Sequence, residues 1–278
     1  MPAVKKSYIV EEVRKLQMNE QISKGKRLDG RGLLDYRPIT IETNVIEKAN
    51  GSARVFIGNS QVIAGIKVQI GTPFPDTPDK GLLIVNTELL PLSSAQAEPG
   101  PPSEDAIELS RVVDRGVRES KMVDLSALAI IPGKKVRAIF ADVAVLNDDG
   151  NLIDTVSCAV VSALLTTKIP KLEVSDDDEI IEKEIMISLT VSDIPVPTTF
   201  AKIGESMFVD PDFEEESAMD ARLTLTTTKS GAICAGQKGL PSGLTIEQVK
   251  HVAANSVIKG EEIRKIIKKA VSENGKKT

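Results

Sequence analysis

Residues 136–170 constrain this chain most: an apolar strand, a tight turn and a helix without a polar face. Residues 136–146 are apolar at both alternating sets of positions, broken only by Arg137 and Asp142. A strand with one face in water shows polar residues at every second place, so this one reads as a central strand. After the turn Asp148-Asp149-Gly150-Asn151, helical spacing sets Val156, Ala159, Val160, Ala163 and Leu164 on one side. Cys158, Val161 and Leu165 fill the other side. A helix apolar all round is a buried helix, and Pro170 requires it to stop before that position. Where a strand turns into a buried helix, free backbone N–H groups point outward and can hold a phosphate. Taken alone, the same residues are also simply the core of any domain that layers helices on a sheet.

The chain has 278 residues, room for two domains. No apolar run approaches the roughly 20 residues of a membrane span, and the N-terminus lacks a signal-peptide pattern. A cytoplasmic protein without membrane contact is expected. Cys158 and Cys234 lie in apolar stretches without metal-ligand spacing and read as reduced core thiols. The formal charge is −5, so nucleic-acid binding would need a local basic patch. Aromatic content of 3% without Trp argues against a base-stacking platform. His251 is the only histidine, and no Ser or Cys motif accompanies it, so it reads as a surface residue of a C-terminal helix.

In chain order, a helix is expected over 8–23, with Val10, Val13, Leu16 and Met18 as its apolar positions. The charged turn 26–32 reads as a solvated connector. Alternating strands at 52–57 and 61–70, joined across Gly58-Asn59, read as a hairpin. A proline-bearing loop at 72–80 and a strand at 82–90 follow. The rigid Glu98-Pro99-Gly100-Pro101-Pro102 then leads to Ser103, a helix N-cap with Glu104 and Asp105 in the first turn. The helix 104–120 buries Leu109, Val112, Val113 and Gly116. On another face Arg111, Arg115 and Arg118 form a basic row, with Glu108 and Asp114 near enough to offset their repulsion. The row fits a solvated face with local ion pairs or an anion-binding row.

A short segment at 126–131 meets the central strand across Pro132-Gly133. Beyond the buried helix, 171–182 with its run Asp176-Asp177-Asp178-Glu179 reads as a solvated acidic linker between domains. The second half is expected to carry strands at 183–191, 198–203, 206–209, 221–229 and 232–237, and a helix from 245 to about 271 with a frayed Lys-rich tail. The division is therefore a helical extension to 25, a first domain 26–171, a linker 172–182, a second domain 183–271 and a tail 272–278. Both halves run strands into a helix, which makes the class α+β. The acidic turn of Asp210, Asp212, Glu214, Glu215 and Glu216 could bind a divalent metal or supply a general acid, although by composition it reads as a solvated loop. An EF-hand spacing is absent, as are a Walker loop, a zinc pattern, GxGxxG and GxSxG.

Taken in order, these pieces resemble the RNase PH family, from about Lys24 to Gly260. The motifs are Arg27-x-Asp29-Gly30-Arg31 with Arg37-Pro38-Ile39, Gly51-Ser52-Ala53-Arg54-Val55 with Gly58-Asn59, and Val209-Asp210-Pro211-Asp212 with Glu214-Glu215-Glu216. Glu98–Pro102, residues 107–115 and Asp148-Asp149-Gly150-Asn151 are similar to the non-catalytic ring-subunit subtype of the archaeal exosome. The resemblance implies two α+β domains of the ribosomal-protein-S5 domain 2-like kind, with mixed sheets packed by helices.

Departures from the active pattern carry most of the functional inference. Active members of the family hold phosphate with a Gly-Ser/Thr-Arg turn at the start of the buried helix. Here Asn151, Leu152 and Ile153 stand there, followed by Asp154. A like charge about 4 Å from a phosphate costs roughly 4 kcal/mol at an effective dielectric near 20. The family's Arg-Arg pair before the preceding helix is replaced by Glu104-Asp105. Asp210 remains at a catalytic carboxylate position, while the second aspartate aligns with Glu216; both would be vestigial.

The resemblance thus implies a non-catalytic, cofactor-free, RNA-binding subunit of a hexameric ring. It would form a heterodimer with an active RNase PH-like sister, three dimers closing the ring beneath RNA-binding cap subunits. Single-stranded RNA would be degraded 3′ to 5′ by phosphorolysis in the sister, and Arg111, Arg115 and Arg118 would bind it here. The competing expectation is a self-sufficient 3′-to-5′ exoribonuclease, phosphorolytic or metal-dependent and hydrolytic, using Asp210, Asp212 and Glu216.

Overall fold

In the computed structural model, residues 3–95, 97–175 and 177–274 are described, the side chains of 3–12 and 274 excepted. Helix α1 (Ala3–Ser23) precedes strands β1 (Ile39–Thr43), β2 (Gly51–Ile57), β3 (Ser60–Gly71) and β4 (Leu82–Leu89). Helix α2 (Glu104–Glu119), a 3-10 turn at Ser126–Leu128, β5 (Ala129–Ile131), β6 (Lys135–Asn147) and α3 (Leu152–Leu165) complete the first half. Next come β7 (Lys168–Val174) and β8 (Ile180–Ser188), then β9 (Val196–Ile203), β10 (Ser206–Val209) and α4 (Phe213–Ala218). The last elements are β11 (Ala221–Thr227), β12 (Ile233–Gly239) and α5 (Ile246–Asn274). The architecture is α+β, as the pattern predicts.

The apolar strand is central. In the first sheet, ordered β1-β2-β3-β6-β4, β6 lies between antiparallel β3 and parallel β4, with β5 pairing back onto it. Helix α3 crosses β2 and β3, and all its residues from Ile153 to Leu164 are buried. Gly51 makes that approach possible, because a Cβ there would come within 2.5 Å of the Ala163 carbonyl oxygen. Ser103 caps α2 by accepting from Ala106 N at 3.2 Å, as its position predicts. The second sheet, β10-β9-β11-β12, is antiparallel, and every residue of β9 is buried. Thr245 and Gln248 cap α5 reciprocally, Gln248 N donating to Thr245 Oγ1 and Thr245 N to Gln248 Oε1. Ile263 and Ile267 of α5 join the core of the first sheet, α2 and α3, so the halves share apolar packing.

Helix α3 stops before Pro170 as expected, at Leu165; Thr166 and Thr167 turn their hydroxyls back on Ala163, and Pro170 sits inside β7. Several expectations are corrected. The segment expected as a solvated acidic linker carries strand residues of a ribbon of β7 and β8. Its acidic run supplies only the reversal, with Asp178 in left-handed backbone (φ 62°) and Ser175 bonded to Glu179; Asp176 lies outside the described residues. Strand β8 therefore pairs with β7 and not with the second sheet. In α1, Val13 and Leu16 are exposed while Met18 and Ile22 pack on Ala201, Ile203, Phe208 and Ala218 of the second half. The Val10 side chain lies outside the described residues. Helix α5 runs on to Asn274 through part of the expected tail, and residues 275–278 are not described. Cys158 is buried as expected, Cys234 only half-buried, and both are free; His251 is exposed.

Candidate functional site

The turn 148–151 and the start of α3 meet the end of β10, helix α4 and the segment 27–37. Asn151 enters α3 in left-handed backbone (φ 54°), and Asp210 leaves β10 in the same region (φ 50°). Such backbone is costly for a residue with a side chain and persists where surrounding bonds determine it. Here they do. Asn151 Nδ2 donates to Asp210 Oδ1 at 2.7 Å. Arg37 donates from N and Nε to Oδ2 at 2.8 and 2.9 Å, and from Nη2 to Oδ1 at 2.8 Å. Arg31 Nη1 adds a bond to Oδ2 at 2.9 Å. Burial alone would raise the Asp210 carboxyl, but Arg37 outweighs it and holds the group below the ordinary aspartate range. The residue is fully buried.

The neighbouring charged turn is no solvated connector. Arg27 is buried, pairs with Glu215, donates to the Val209 and Asp210 carbonyl oxygens at 2.8 Å each, and stacks 4.9 Å over the Phe208 ring. Buried Glu215 also closes a capping box with Asp212, whose Oδ1 accepts from Glu215 N. The acidic turn expected in solvent is thus half interior, because three arginines converge on it. Gly150 lies against it so closely that a Cβ would come 2.5 Å from the Asp212 carbonyl carbon.

At the expected phosphate position, Asp154 is completely buried and bonded. It accepts from Tyr36 Oη at 2.8 Å, Asn151 Nδ2 at 3.0 Å, Thr199 N at 3.0 Å and Thr199 Oγ1 at 2.8 Å. Burial pushes its carboxyl up to about 6, against the opposing effect of those bonds. Leu152 and Ile153 bring no charge. The N–H of Asn151, the last of the turn and the N-cap of α3, is taken by Glu216 Oε1 at 3.0 Å. Burial, reinforced by Asp148, pushes the Glu216 carboxyl up to about 7. In front lies a cavity of about 290 Å³ whose lining includes the carboxylates Asp105, Glu108, Asp148 and Glu216, with Arg222 as its basic residue. Arg222 Nη2 is itself held by Glu108 at 2.8 Å. A space lined this way repels a phosphate.

The three arginines of α2 are all exposed but differ in freedom. Arg118 is committed to Asp114 and to the Leu83 carbonyl oxygen. Arg115 Nη1 reaches Gln237 Oε1 at 3.5 Å. Arg111 makes no hydrogen bond or ion pair among the described residues. Of the three, Arg111 and Arg115 keep the most uncommitted N–H groups. The sequence reading missed the roles of Arg27, Arg31 and Arg37, visible in it only as a motif, and those of Tyr36, Thr199, Arg222 and Gln237, for which no local signal exists.

Comparison with known proteins gives the family and the fold. The model for the 3′ exoribonuclease family matches residues 35–170 with its domain 1 and 193–259 with its domain 2. The chain is 51% identical over 251 residues to the exosome complex component Rrp42 of Thermococcus gammatolerans, covering 90% of this chain and 92% of that one. The Rrp42 of Methanothermobacter thermautotrophicus is 45% identical over 269 residues, 97% and 99% of the two chains. Among solved structures, a chain of the Archaeoglobus fulgidus exosome with RNA bound to the active site superposes with a TM-score of 0.85 at 42% identity, over 92% of this chain and 98% of that one. A chain of an archaeal exosome core gives 0.82 at 39% identity, over 94% and 98%.

Proposed function

The chain belongs to the 3′ exoribonuclease (RNase PH) family, and from that premise we propose that it is a non-catalytic, RNA-holding exosome subunit whose chemistry is carried out by an active sister chain. The observation that carries this reading is the start of α3. Where an anion would bind, Asp154 is buried as a structural carboxylate, Glu216 occupies the Asn151 N–H, and four carboxylates line the space in front. Asp210 keeps the position of a catalytic acid, yet both its oxygens are bonded to arginine or asparagine. It works as a clasp between the halves.

In this reading the chain forms a heterodimer with the sister, and three dimers close a cytoplasmic ring that carries RNA-binding cap subunits. Residues 26–171 and 183–271 are its two domains, and the segment between them is the tip of the β7–β8 ribbon. Arg111 and Arg115 supply backbone contacts to single-stranded RNA on its way to the sister's site; Arg118, committed to Asp114, contributes least. The self-sufficient exonuclease is disfavoured because its three acids are already engaged, Asp210 by Arg37, Asp212 as a helix cap and Glu216 on Asn151.

The test is an RNA-degradation assay of the chain alone and with the sister, in phosphate and in magnesium. The chain alone should release nothing, and the complex should release nucleoside diphosphates only with phosphate. Product from the purified chain alone would refute the reading.

A further inference from the structure

Arg115 is held from the second domain through a hydrogen-bonded relay with only one possible polarity. Glu108, two turns before Arg115 on the same side of α2, accepts through Oε1 from Arg222 Nη2 at 2.8 Å and from Gln237 Nε2 at 3.0 Å. A carboxylate can only accept, so the Gln237 amide must turn its NH2 toward Glu108. Its carbonyl oxygen is then left facing Arg115, which can only donate, and the Arg115 Nη1 contact of 3.5 Å is the outcome. The base of the relay is rigid. Gln237 and Arg222 sit on the paired strands β12 and β11, Gln237 opposite Thr224 and Arg222 opposite Gly239. A Cβ at Gly239 would come 3.1 Å from the Arg222 guanidinium, so the arginine lies flat against bare backbone. Arg111, one turn away on the same helix, has no such support.

We propose that Gln237, oriented by Glu108 and Arg222, is a positioning residue that presents Arg115 to the RNA backbone. This rests on the reading of Arg115 as a phosphate contact. A flexible arginine must be immobilised when it binds, and one already held loses less freedom. A single long bond fixes one edge of the guanidinium and leaves the rest of its fork for a phosphate. The two residues that orient Gln237 also line the cavity in front of α3. The pocket that cannot hold phosphate therefore serves to brace a residue that can.

The experiment is a double-mutant cycle on the complex reconstituted with the active sister, read by binding of a single-stranded oligoadenylate across a salt series. Gln237→Met keeps the length of the side chain and removes its acceptor; Glu108→Ala removes the orienting group. Each should weaken binding roughly 2- to 10-fold in the parent and in Arg111→Ala, the range expected for losing one pre-ordered side chain. In Arg115→Ala neither should weaken binding further, and the salt slope of Gln237→Met should match the parent, because no phosphate contact is deleted. Thermal melting beside each measurement separates a folding defect from this effect. Equal losses with and without Arg115, or no loss in either single variant, would overturn the relay while leaving Arg115 an RNA contact. If Arg115→Ala alone leaves affinity unchanged, the phosphate-contact reading fails and the relay has nothing to position.

Discussion

Asn151 and Asp210, one from each half of the chain, face each other through a 2.7 Å hydrogen bond, and both hold left-handed backbone. Neither conformation is comfortable alone, at a cost of about 1–3 kcal/mol each. The bond joins the helix start where a phosphate would be expected to the acid that would be expected to act on it. The contact is a junction between the two halves, and in the non-catalytic reading proposed above its substitutions should be felt in stability before activity.

Asp210→Asn keeps the shape of the side chain but leaves Arg37 and Arg31 facing a neutral amide in the interior. Breaking one partner of a buried ion pair typically costs about 3–5 kcal/mol, and the amide's remaining hydrogen bonds should keep the loss near the lower end. Calorimetry should show a clear fall in melting temperature. The turnover number of the assembled complex at saturating RNA should be unchanged, and a fall in turnover with an unchanged melting temperature would mean that Asp210 acts on substrate.

Gly150→Ala attacks the same junction sterically. The glycine has φ 84°, and an added Cβ would lie 2.5 Å from the Asp212 carbonyl carbon and 2.8 Å from the Pro211 carbonyl oxygen. Both contacts are backbone, so no side chain can swing away. A loss of about 2 kcal/mol or more is expected from left-handed strain and displacement together. Chemical denaturation that finds the variant as stable as the parent would show that the two backbones are not in contact.

Stability should also fall as pH rises from about 4 to about 7. Glu216 is raised from 4.5 to about 7 and Asp154 from 3.8 to about 6 in the folded protein. Between the unfolded and folded values the native state holds protons that the unfolded chain has released. The stabilisation is full below about pH 4 and lost by about pH 7. Asp210 has the opposite sign, its contribution fading only at lower pH. Glu216→Gln can still accept from Asn151 N and removes the charge. It should flatten the decline and be more stable than the parent at pH 8 by on the order of 2 kcal/mol. Parallel melting curves for the two proteins from pH 5 to 8 would exclude the Glu216 contribution.

Much of the architecture was legible because it follows from periodicity. The apolar strand became β6, the all-apolar helix became α3, and Ser103 with its acidic first turn opened α2 as its position predicts. The errors came where charge was read as exposure. The turn around Arg27 and the run from Asp210 to Glu216 each looked solvated because each was considered without the other; together they neutralise one another indoors. Local sequence cannot show that pairing, since the partners are separated by most of the chain. The ribbon was misread for a related reason: a short acidic reversal dominated the composition of two flanking strands. Gln237 and Arg222 carry no signal at all until β12 and β11 bring them beneath α2.

The arginine pair offers the sharpest test of function without chemistry. Arg111 and Arg115 are separated by one helical turn, a rise of about 6 Å, close to the spacing of successive phosphates in an extended strand. Both are exposed, and only Arg115 has a partner within the protein, through one long bond. Replacing both by Glu should therefore change stability by no more than about 0.5 kcal/mol, as for other surface positions, and leave ring assembly intact by light scattering. Each lost phosphate contact should reduce the salt slope for single-stranded RNA by about 0.7, or about 1.4 for the pair. Affinity should fall evenly across sequences, because backbone contacts carry no base information. Degradation by the sister should slow at low RNA concentration and recover at saturation, since her active site is untouched. A double variant that binds RNA with the parent's affinity and salt slope would reduce the row to a solvated helix face.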